Sequence, residues 1–292
     1  MKLKFYCEIS KIFKINMINI GNINTLPITK FVDFGAYLDA GNGVEILLPR
    51  RYVTAEMNVG DEIEVFVYND SEDRLVATTE RPLAMVNQCA FLKATAVNSV
   101  GAFLDWGLPK ELLVPFREQK VRMVKGRYYT VFVYLDDNSK RIVASAKLDK
   151  FLDNKMPKYH VGDEVRILIN KKTDLGYKVV VDDLFWGMIY DSEIFFDVNI
   201  GERHRAFIKQ VRPDGKLDIT LSPSSKERTK DYADEIMEFL NENGGSMPYN
   251  DKTPADEITR IFSCSKRDFK KALGSLYKRH LITIGDDGVK IV

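Results

Sequence analysis

Short runs of apolar, β-branched and aromatic residues, separated by polar turns, follow one another from residue 17 to residue 223. In the first copy of this pattern they predict five strands, at roughly 17–31, 34–39, 44–48, 62–68 and 74–79. Gly41-Asn42-Gly43 turns the chain between the second and third of these strands. Gly35 lies inside a strand pattern, where glycine usually marks a bulge or a sharp bend. Five short strands with an early bend predict a five-stranded OB-type barrel.

This pattern occurs three times. FGAYLD at 34–39 returns as VGAFLD at 100–105, EILLP at 45–49 as ELLVP at 111–115, and VFVY at 65–68 unchanged at 131–134, all 66 residues apart. A weaker third copy lies 141 residues from the first, with Gly176 and Phe207 in the places of Gly35 and Phe66. The repeats predict three tandem barrels, over residues 17–81, 82–151 and 152–223.

After Pro223 the apolar residues recur with a helical period of about 3.6 residues. A first helix ends at Gly244-Gly245, and Thr253-Pro254 opens a second one. A short turn leads to a third helix, with Phe269 and Leu276 among its inward residues. A hairpin of two strands, 281–284 and 289–292, follows. This order predicts a winged-helix domain over residues 224–292, so the chain as a whole is mainly β with an α/β tail.

The repeated strings resemble a known RNA-binding module. GAYLD and GAFLD, the apolar third strand and VGDEIEVFVY look like the S1-type RNA-binding domain of ribosomal proteins. Three such domains followed by a winged helix resemble the bacterial conserved virulence factor B family, over residues 17–292. The resemblance implies a cytoplasmic RNA-binding regulator of gene expression. Residues 1–16 precede the pattern and are expected to form an N-terminal extension.

The charge is unevenly distributed. The net charge is +1, but residues 17–81 carry 5 basic and 11 acidic side chains, whereas residues 82–151 carry 11 and 6. A polyanion would therefore bind best to the second barrel, or to the second and third, with the first as a spacer or protein contact. Cys7, Cys89 and Cys264 are far apart and form no C-x-x-C pair, so no disulfide framework, zinc site or cofactor is expected. No apolar run approaches the roughly 20 residues that span a membrane.

OB folds usually bind single strands on the face of their second and third strands, where bases stack on aromatic rings beside cations. The candidates for this role are Phe34, Tyr37, Arg50 and Arg51 in the first barrel, Lys93, Phe103, Trp106, Phe116 and Arg117 in the second, and Lys172, Tyr177, Lys178, Trp186 and Tyr190 in the third. Tyr37 and Phe103 share one repeat position, which in S1 domains often contacts RNA; either could equally be a core residue. Phe34 is a weaker candidate because Val100 replaces it in the second copy. The histidine common at the end of the third strand of S1 domains is replaced here by Pro49, Pro115 and Tyr190.

The sequence is compatible with several functions. Single-stranded RNA, such as mRNA or ribosomal RNA, is the predicted partner, with no membrane and no small-molecule substrate. No catalytic or metal-binding motif is present, and the adjacent pairs Asp182-Asp183 and Asp286-Asp287 lie near predicted turns, so an enzyme is not expected. A protein-interaction scaffold is one alternative. A DNA-binding transcription regulator is another, acting through Lys266, Arg267, Lys270 and Lys271 on the third helix.

Overall fold

The computed structural model describes residues 18–153, 155–194, 196–221 and 225–292, with the backbone alone for 225–231. The expected extension at 1–16, with Cys7, lies outside the described residues. The chain divides into two compact units, residues 1–151 and 152–292. Three five-stranded barrels and a small helical domain follow one another, which confirms the fold class predicted from the sequence.

The first barrel, barrel 1, is closed in the order β1-β2-β3-β5-β4. Its strands are β1 (Ile23–Val32), β2 (Gly35–Asp39), β3 (Glu45–Pro49), β4 (Glu62–Asn69) and β5 (Leu75–Thr78). Alternate residues of β2 and β3 point inward, so Leu38, Ile46 and Leu48 are fully buried. β1 begins later than predicted, at Ile23.

The bend predicted at Gly35 has a steric cause. A Cβ atom on Gly35 would lie 2.1 Å from the carbonyl oxygen of Leu48, on the neighbouring strand β3. The equivalent distances are 2.3 Å from Gly101 to Val114 and 2.0 Å from Gly176 to Ile189. The glycine therefore recurs in all three repeats because only a residue without a side chain lets the second and third strands approach this closely.

The other two barrels repeat this order. Barrel 2 contains β6 (Cys89–Val97), β7 (Gly101–Asp105), β8 (Leu112–Pro115), β9 (Tyr128–Leu135) and β10 (Ile142–Ser145), hydrogen-bonded in the order β10-β9-β6-β7-β8. Barrel 3 is closed and contains β11 (Glu164–Thr173), β12 (Gly176–Val181), β13 (Phe185–Tyr190), β14 (Arg203–Val211) and β15 (Leu217–Thr220). A short 3-10 turn follows the third strand of each barrel, at Arg50–Tyr52, Phe116–Glu118 and Asp191–Glu193.

Barrels 1 and 2 share a hydrophobic core. Phe66 and Tyr68 of β4 belong to the same buried cluster as Trp106 of barrel 2. The rings of Phe66 and Trp106 meet edge to face with centroids 5.7 Å apart. Lys110 Nζ crosses from barrel 2 to donate hydrogen bonds of 2.8 and 2.7 Å to the carbonyl oxygens of Asn69 and Asp70. The two barrels are therefore packed as one body.

The C-terminal domain is a winged helix. It contains α1 (Ser225–Glu242), β16 (Ser246–Met247), α2 (Ala255–Phe262), α3 (Lys266–Lys278), β17 (Ile282–Gly285) and β18 (Gly288–Ile291), with a sheet in the order β16-β18-β17. Ser265 caps α3, because its Oγ accepts a hydrogen bond of 3.1 Å from the backbone N–H of Asp268. Within the described part of the chain, every helix is too short or too polar to cross a bilayer.

Candidate nucleic-acid interface

Barrel 1 exposes an aromatic group on the outer side of β2 and β3, here called the β2–β3 face. Tyr37 points outward because its neighbours Ala36 and Leu38 fill the barrel interior. Phe34 is 58% exposed, and its ring meets that of Tyr37 edge to face with centroids 6.3 Å apart. Lys30 Nζ lies 4.7 Å from the centroid of the Tyr37 ring. A cation beside two accessible rings is the arrangement that stacks bases and contacts phosphate in OB folds.

A bulge in β1 positions this group. The strand register shifts between Ile28 and Lys30, which leaves Thr29 as the extra residue. Thr29 Oγ1 lies 3.1 Å from the carbonyl oxygen of Tyr37 and 3.0 Å from Glu45 Oε1. Lys30 Nζ donates to Glu45 Oε2 at 2.6 Å. The hydrogen bonds from Lys30 and Thr29 lower the pKa of Glu45, so Glu45 partly neutralises Lys30.

The unpaired positive charge of barrel 1 lies in the 3-10 turn after β3. Arg50 and Arg51 are exposed and form no ion pair with a described residue. The backbone N–H of Arg50 donates to the carbonyl oxygen of Phe34 at 2.8 Å, which fixes the turn beside that ring. Phe31, Asp33 and Arg50 line an open depression, so an acid lies beside Arg50 there. The predicted residues Phe34, Tyr37 and Arg50 thus lie near one another, and Arg51 follows in the same turn; their contact with nucleic acid stays a prediction. Lys30 and Phe31 also lie here and were not among the candidates.

The first strand of barrel 2 has the same bulge as that of barrel 1, but the residues on the face beside it differ. Thr95 Oγ1 lies 2.9 Å from the carbonyl oxygen of Phe103 and 2.5 Å from Glu111 Oε1, which repeats the geometry of barrel 1. Phe103 points outward, but Ala96 stands opposite it where barrel 1 has Lys30. The guanidinium carbon of Arg122 lies 3.9 Å from the centroid of the Phe116 ring. Around Phe103 the β7–β8 face is therefore aromatic without a facing lysine.

Two of the predicted nucleic-acid-binding residues of barrel 2, Trp106 and Arg117, are less available to a ligand than expected. Trp106 is 2% exposed, and its Nε1 donates to the carbonyl oxygen of Lys110 at 2.6 Å, so its ring cannot stack on a base. The prediction that Trp106 belongs to the nucleic-acid surface is wrong, because the ring fills the contact with barrel 1. Arg117 is exposed and lies 3.4 Å from Asp136 Oδ1, so part of its charge is already compensated.

Barrel 3 also has lysines and aromatic rings on this face, but at different repeat positions from those of barrel 1. Lys178 occupies the position of Tyr37, and Trp186 that of Glu45, 141 residues earlier. Lys178 Nζ lies 3.6 Å from the centroid of the Trp186 ring, and Lys172 Nζ lies 4.3 Å from that of Tyr177. Tyr190 instead accepts a short hydrogen bond from Arg212, which also forms an ion pair with Asp218 at 2.9 Å. The β12–β13 face thus brings together two cation–aromatic pairs, with Tyr190 held in a separate network.

The predicted cations of the winged helix all lie on α3. Lys270 Nζ is 3.8 Å from Asp251 and Lys271 Nζ is 3.6 Å from Asp268. Lys266 Nζ donates to the carbonyl oxygen of Lys252 at 3.4 Å. Arg267 is exposed and has no ion-pair partner among the residues described. Neighbouring acids therefore reduce the positive charge that α3 presents.

The sequence matches two known domain families and known bacterial proteins. The S1 domain family matches residues 20–80, and the CvfB-like winged helix domain family matches residues 234–291. The protein YitL of Bacillus subtilis is 30% identical over 266 residues, which cover 87% of each chain. Conserved virulence factor B of Staphylococcus saprophyticus is 28% identical over 91% of this chain and 92% of its own. The chain belongs to the conserved virulence factor B family.

Membership of the virulence factor B family confirms the resemblance predicted from the sequence. S1 and winged-helix domains point to nucleic-acid binding. A multidomain protein with nucleic acid binding domains from Streptococcus pneumoniae is similar over 94% of this chain and 98% of that one, at 25% identity and a TM-score of 0.40.

Proposed function

We propose that this virulence factor B family member is a cytoplasmic, non-enzymatic protein that binds single-stranded RNA and regulates gene expression after transcription. The observation that carries the proposal is the accessible pair of Phe34 and Tyr37, with Lys30 at 4.7 Å from the Tyr37 ring. Unstacked bases can lie on such rings, and each stacked base contributes about 1–3 kcal/mol. A duplex keeps its bases stacked internally, which favours a single strand.

The structure also bears on which barrels take part. The acidic composition of barrel 1 suggested a spacer, but five of its acids form ion pairs: Glu45, Glu64, Asp70, Glu72 and Asp73. Two exposed arginines, Arg50 and Arg51, follow its β2–β3 face in the 3-10 turn and form no ion pair with a described residue. We therefore propose that barrel 1 contacts the strand and that the cation–aromatic pairs of barrel 3 form a separate contact. mRNA or ribosomal RNA is the proposed source of the strand.

The test is fluorescence anisotropy with a single-stranded RNA, the DNA of the same sequence and duplex DNA, over a series of salt concentrations. We expect preference for RNA and an affinity that falls log-linearly with salt, since phosphate contacts release counterions. Replacing both rings of the β2–β3 face, Phe34→Ala with Tyr37→Ala, should weaken binding about tenfold or more. Val59→Ala, at an exposed turn position, is the matched control and should bind as the wild type.

The alternatives give different results in the same assay. No binding to any of the three nucleic acids at low salt would contradict the proposal and favour a protein-interaction scaffold. Preference for duplex DNA, lost on Lys270→Ala with Lys271→Ala, would instead support a transcription regulator acting through α3.

A further inference from the structure

A second pair of aromatic side chains lies on barrel 2, on the side of β6 away from the β7–β8 face. Phe91 of β6 and Tyr128 of β9 are stacked, with ring centroids 5.4 Å apart and an interplanar angle of 25°. Tyr128 is 53% exposed. β6 pairs with β7 along one edge and with β9 along the other, so this pair and Phe103 lie on opposite flanks of the same strand.

The repeats show that the barrel does not need aromatic residues at these two positions. Barrel 1 has Thr25 and Glu62 there, and barrel 3 has Arg166 and Arg203, each in the same strand ladder. Both of those barrels close with the same strand order. The Phe91–Tyr128 pair is thus specific to barrel 2, and folding alone does not explain an exposed tyrosine ring.

The charges around the pair fit an anionic ligand. Lys93 stands directly opposite Tyr128 in the β6–β9 ladder, and Lys125 and Arg127 lie in the turn that leads into β9. All three side chains are exposed, and none forms an ion pair within the described ranges. Asp105 of β7 is the partner of Lys93 in the β6–β7 ladder, and its Oδ1 accepts a hydrogen bond of 3.0 Å from the backbone N–H of Gly107. Three unpaired cations beside accessible rings complement a phosphodiester chain with its bases.

We propose that Phe91 and Tyr128 form a second base-stacking subsite, with Lys93, Lys125 and Arg127 contacting phosphates of the same single strand. The subsite rests on the proposed RNA binding and extends its path across barrel 2. Phe103 stands opposite Ala96, five residues along β6 from Phe91, which is about 16 Å at ~3.3 Å per residue. Only a strand several nucleotides long therefore reaches both positions.

The experiment is a length series of oligouridine RNAs, measured by anisotropy against the full chain at fixed salt. The variant Phe91→Thr with Tyr128→Thr uses the residue that barrel 1 has at the first position. We expect it to bind the longer oligonucleotides about tenfold more weakly and the shortest ones as the wild type does. Phe196→Thr, which removes a ring that is 47% exposed on barrel 3, is the control and should change neither.

Two further measurements do not depend on the folding of that variant. Lys93→Ala with Arg127→Ala changes only exposed, unpaired side chains and should reduce the salt slope by about 0.7 for each lost phosphate contact. Photocrosslinking of 4-thiouridine RNA to the wild type should label the peptides that contain Phe91 or Tyr128.

The outcomes separate this subsite from the proposed function. Wild-type protein that binds no single-stranded RNA of any length would overturn both. RNA binding by the wild type that the Phe91/Tyr128 and Lys93/Arg127 variants leave unchanged at every length would overturn the subsite alone. The subsite alone would also be overturned if the Phe91/Tyr128 variant changed only the oligomeric state of the protein. The two rings would then join two copies of the chain.

Discussion

The burial of an aromatic residue in this chain can depend on what lies beyond its own barrel. Tyr37 lies in the second strand of barrel 1 and faces outward, whereas Trp106 directly follows the second strand of barrel 2 and is buried. Strand alternation accounts for Tyr37, whose two neighbours point inward. Trp106 follows β7 and is covered by Phe66 of barrel 1, so its burial depends on a contact between repeats.

Replacing Trp106 by alanine should therefore destabilise the first unit of the chain. The change removes a buried ring and the hydrogen bond from its Nε1 to Lys110. We expect the free energy of unfolding to fall by about 3–5 kcal/mol, as for other buried aromatic residues. Urea unfolding followed by circular dichroism measures the loss, and Tyr37→Ala, which removes an outward-facing and only partly buried ring, serves as the control. Equal stability of the two variants would show that the Trp106 ring does not hold the barrels together.

Glu118 is a buried carboxylate that should make the free energy of unfolding depend on pH. Its Oε2 accepts a hydrogen bond of 2.7 Å from Ser145 and lies 2.9 Å from Lys150 Nζ. Burial raises the pKa of Glu118, but the hydrogen bonds from Lys150 and Ser145 and the charges of Lys150 and Lys147 lower it by more, so the net pKa is below the ordinary value.

The sign of the pH effect follows from the lowered pKa. The contribution of Glu118 to stability is complete above the unfolded pKa of about 4.3 and is lost as the pH falls through the folded pKa. Glu118→Gln should cost about 1.5 kcal/mol at neutral pH, and the difference from the wild type should shrink in acid. Unfolding curves at several pH values test this; a difference that is constant down to acid pH would be incompatible with it.

Gly274 in the middle of α3 should be replaceable with a gain in stability. A Cβ atom there would meet nothing within 4 Å, and glycine inside a helix is about 0.5–1 kcal/mol less stable than alanine. Gly274→Ala should therefore raise the melting temperature of the helical circular-dichroism signal. Gly244→Ala is the matched control, because a Cβ atom at Gly244 would also meet nothing within 4 Å but the backbone there has a φ of +70°, which alanine rarely adopts. We expect Gly244→Ala to lower the melting temperature. A shift in the same direction for the two variants would refute the backbone explanation.

At the scale of elements, most strands could be predicted because each is a short apolar run with a turn at its end. β2 and β3 were expected at 34–39 and 44–48 and lie at Gly35–Asp39 and Glu45–Pro49. β16 was missed, since two residues carry no periodicity. The stacking of Phe91 on Tyr128 was also missed, because it depends on the register between β6 and β9, which are separated in the sequence by β7 and β8.

The string VGDE shows that a turn can be recognised where its strand cannot. It occurs at 59–62 and 161–164, before β4 and β11, which occupy different places in their barrels. Both copies form the same turn, with φ of 96° at Gly60 and 95° at Gly162. Asp61 accepts a 2.8 Å bond from the N–H of Asn58, and Asp163 one of 2.8 Å from that of His160. The identity therefore reflects one local turn, used before two different strands.

At the scale of the whole molecule, the first unit depends on both of its barrels. Phe66, Tyr68 and Val76 of barrel 1 lie in the cluster centred on barrel 2 and would be uncovered without it. A fragment of residues 18–81 should therefore self-associate or precipitate, whereas residues 18–151 should remain monomeric. Analytical ultracentrifugation of the two fragments measures this. A monomeric, well-folded 18–81 fragment would show that the shared cluster is dispensable.

The packing of Trp106 against Phe66 also has a consequence for any flexible polymer that touches both barrels. If two domains are joined by a flexible linker, binding of the second domain restricts the linker and costs conformational entropy. Here the orientation is already set by the shared cluster and by the bonds from Lys110 to Asn69 and Asp70. The second contact is then effectively intramolecular, and affinity should rise in a step once the polymer is long enough to bridge the two surfaces. The first two repeats should thus act as one bivalent binding unit, in which the distance between the two binding surfaces is fixed.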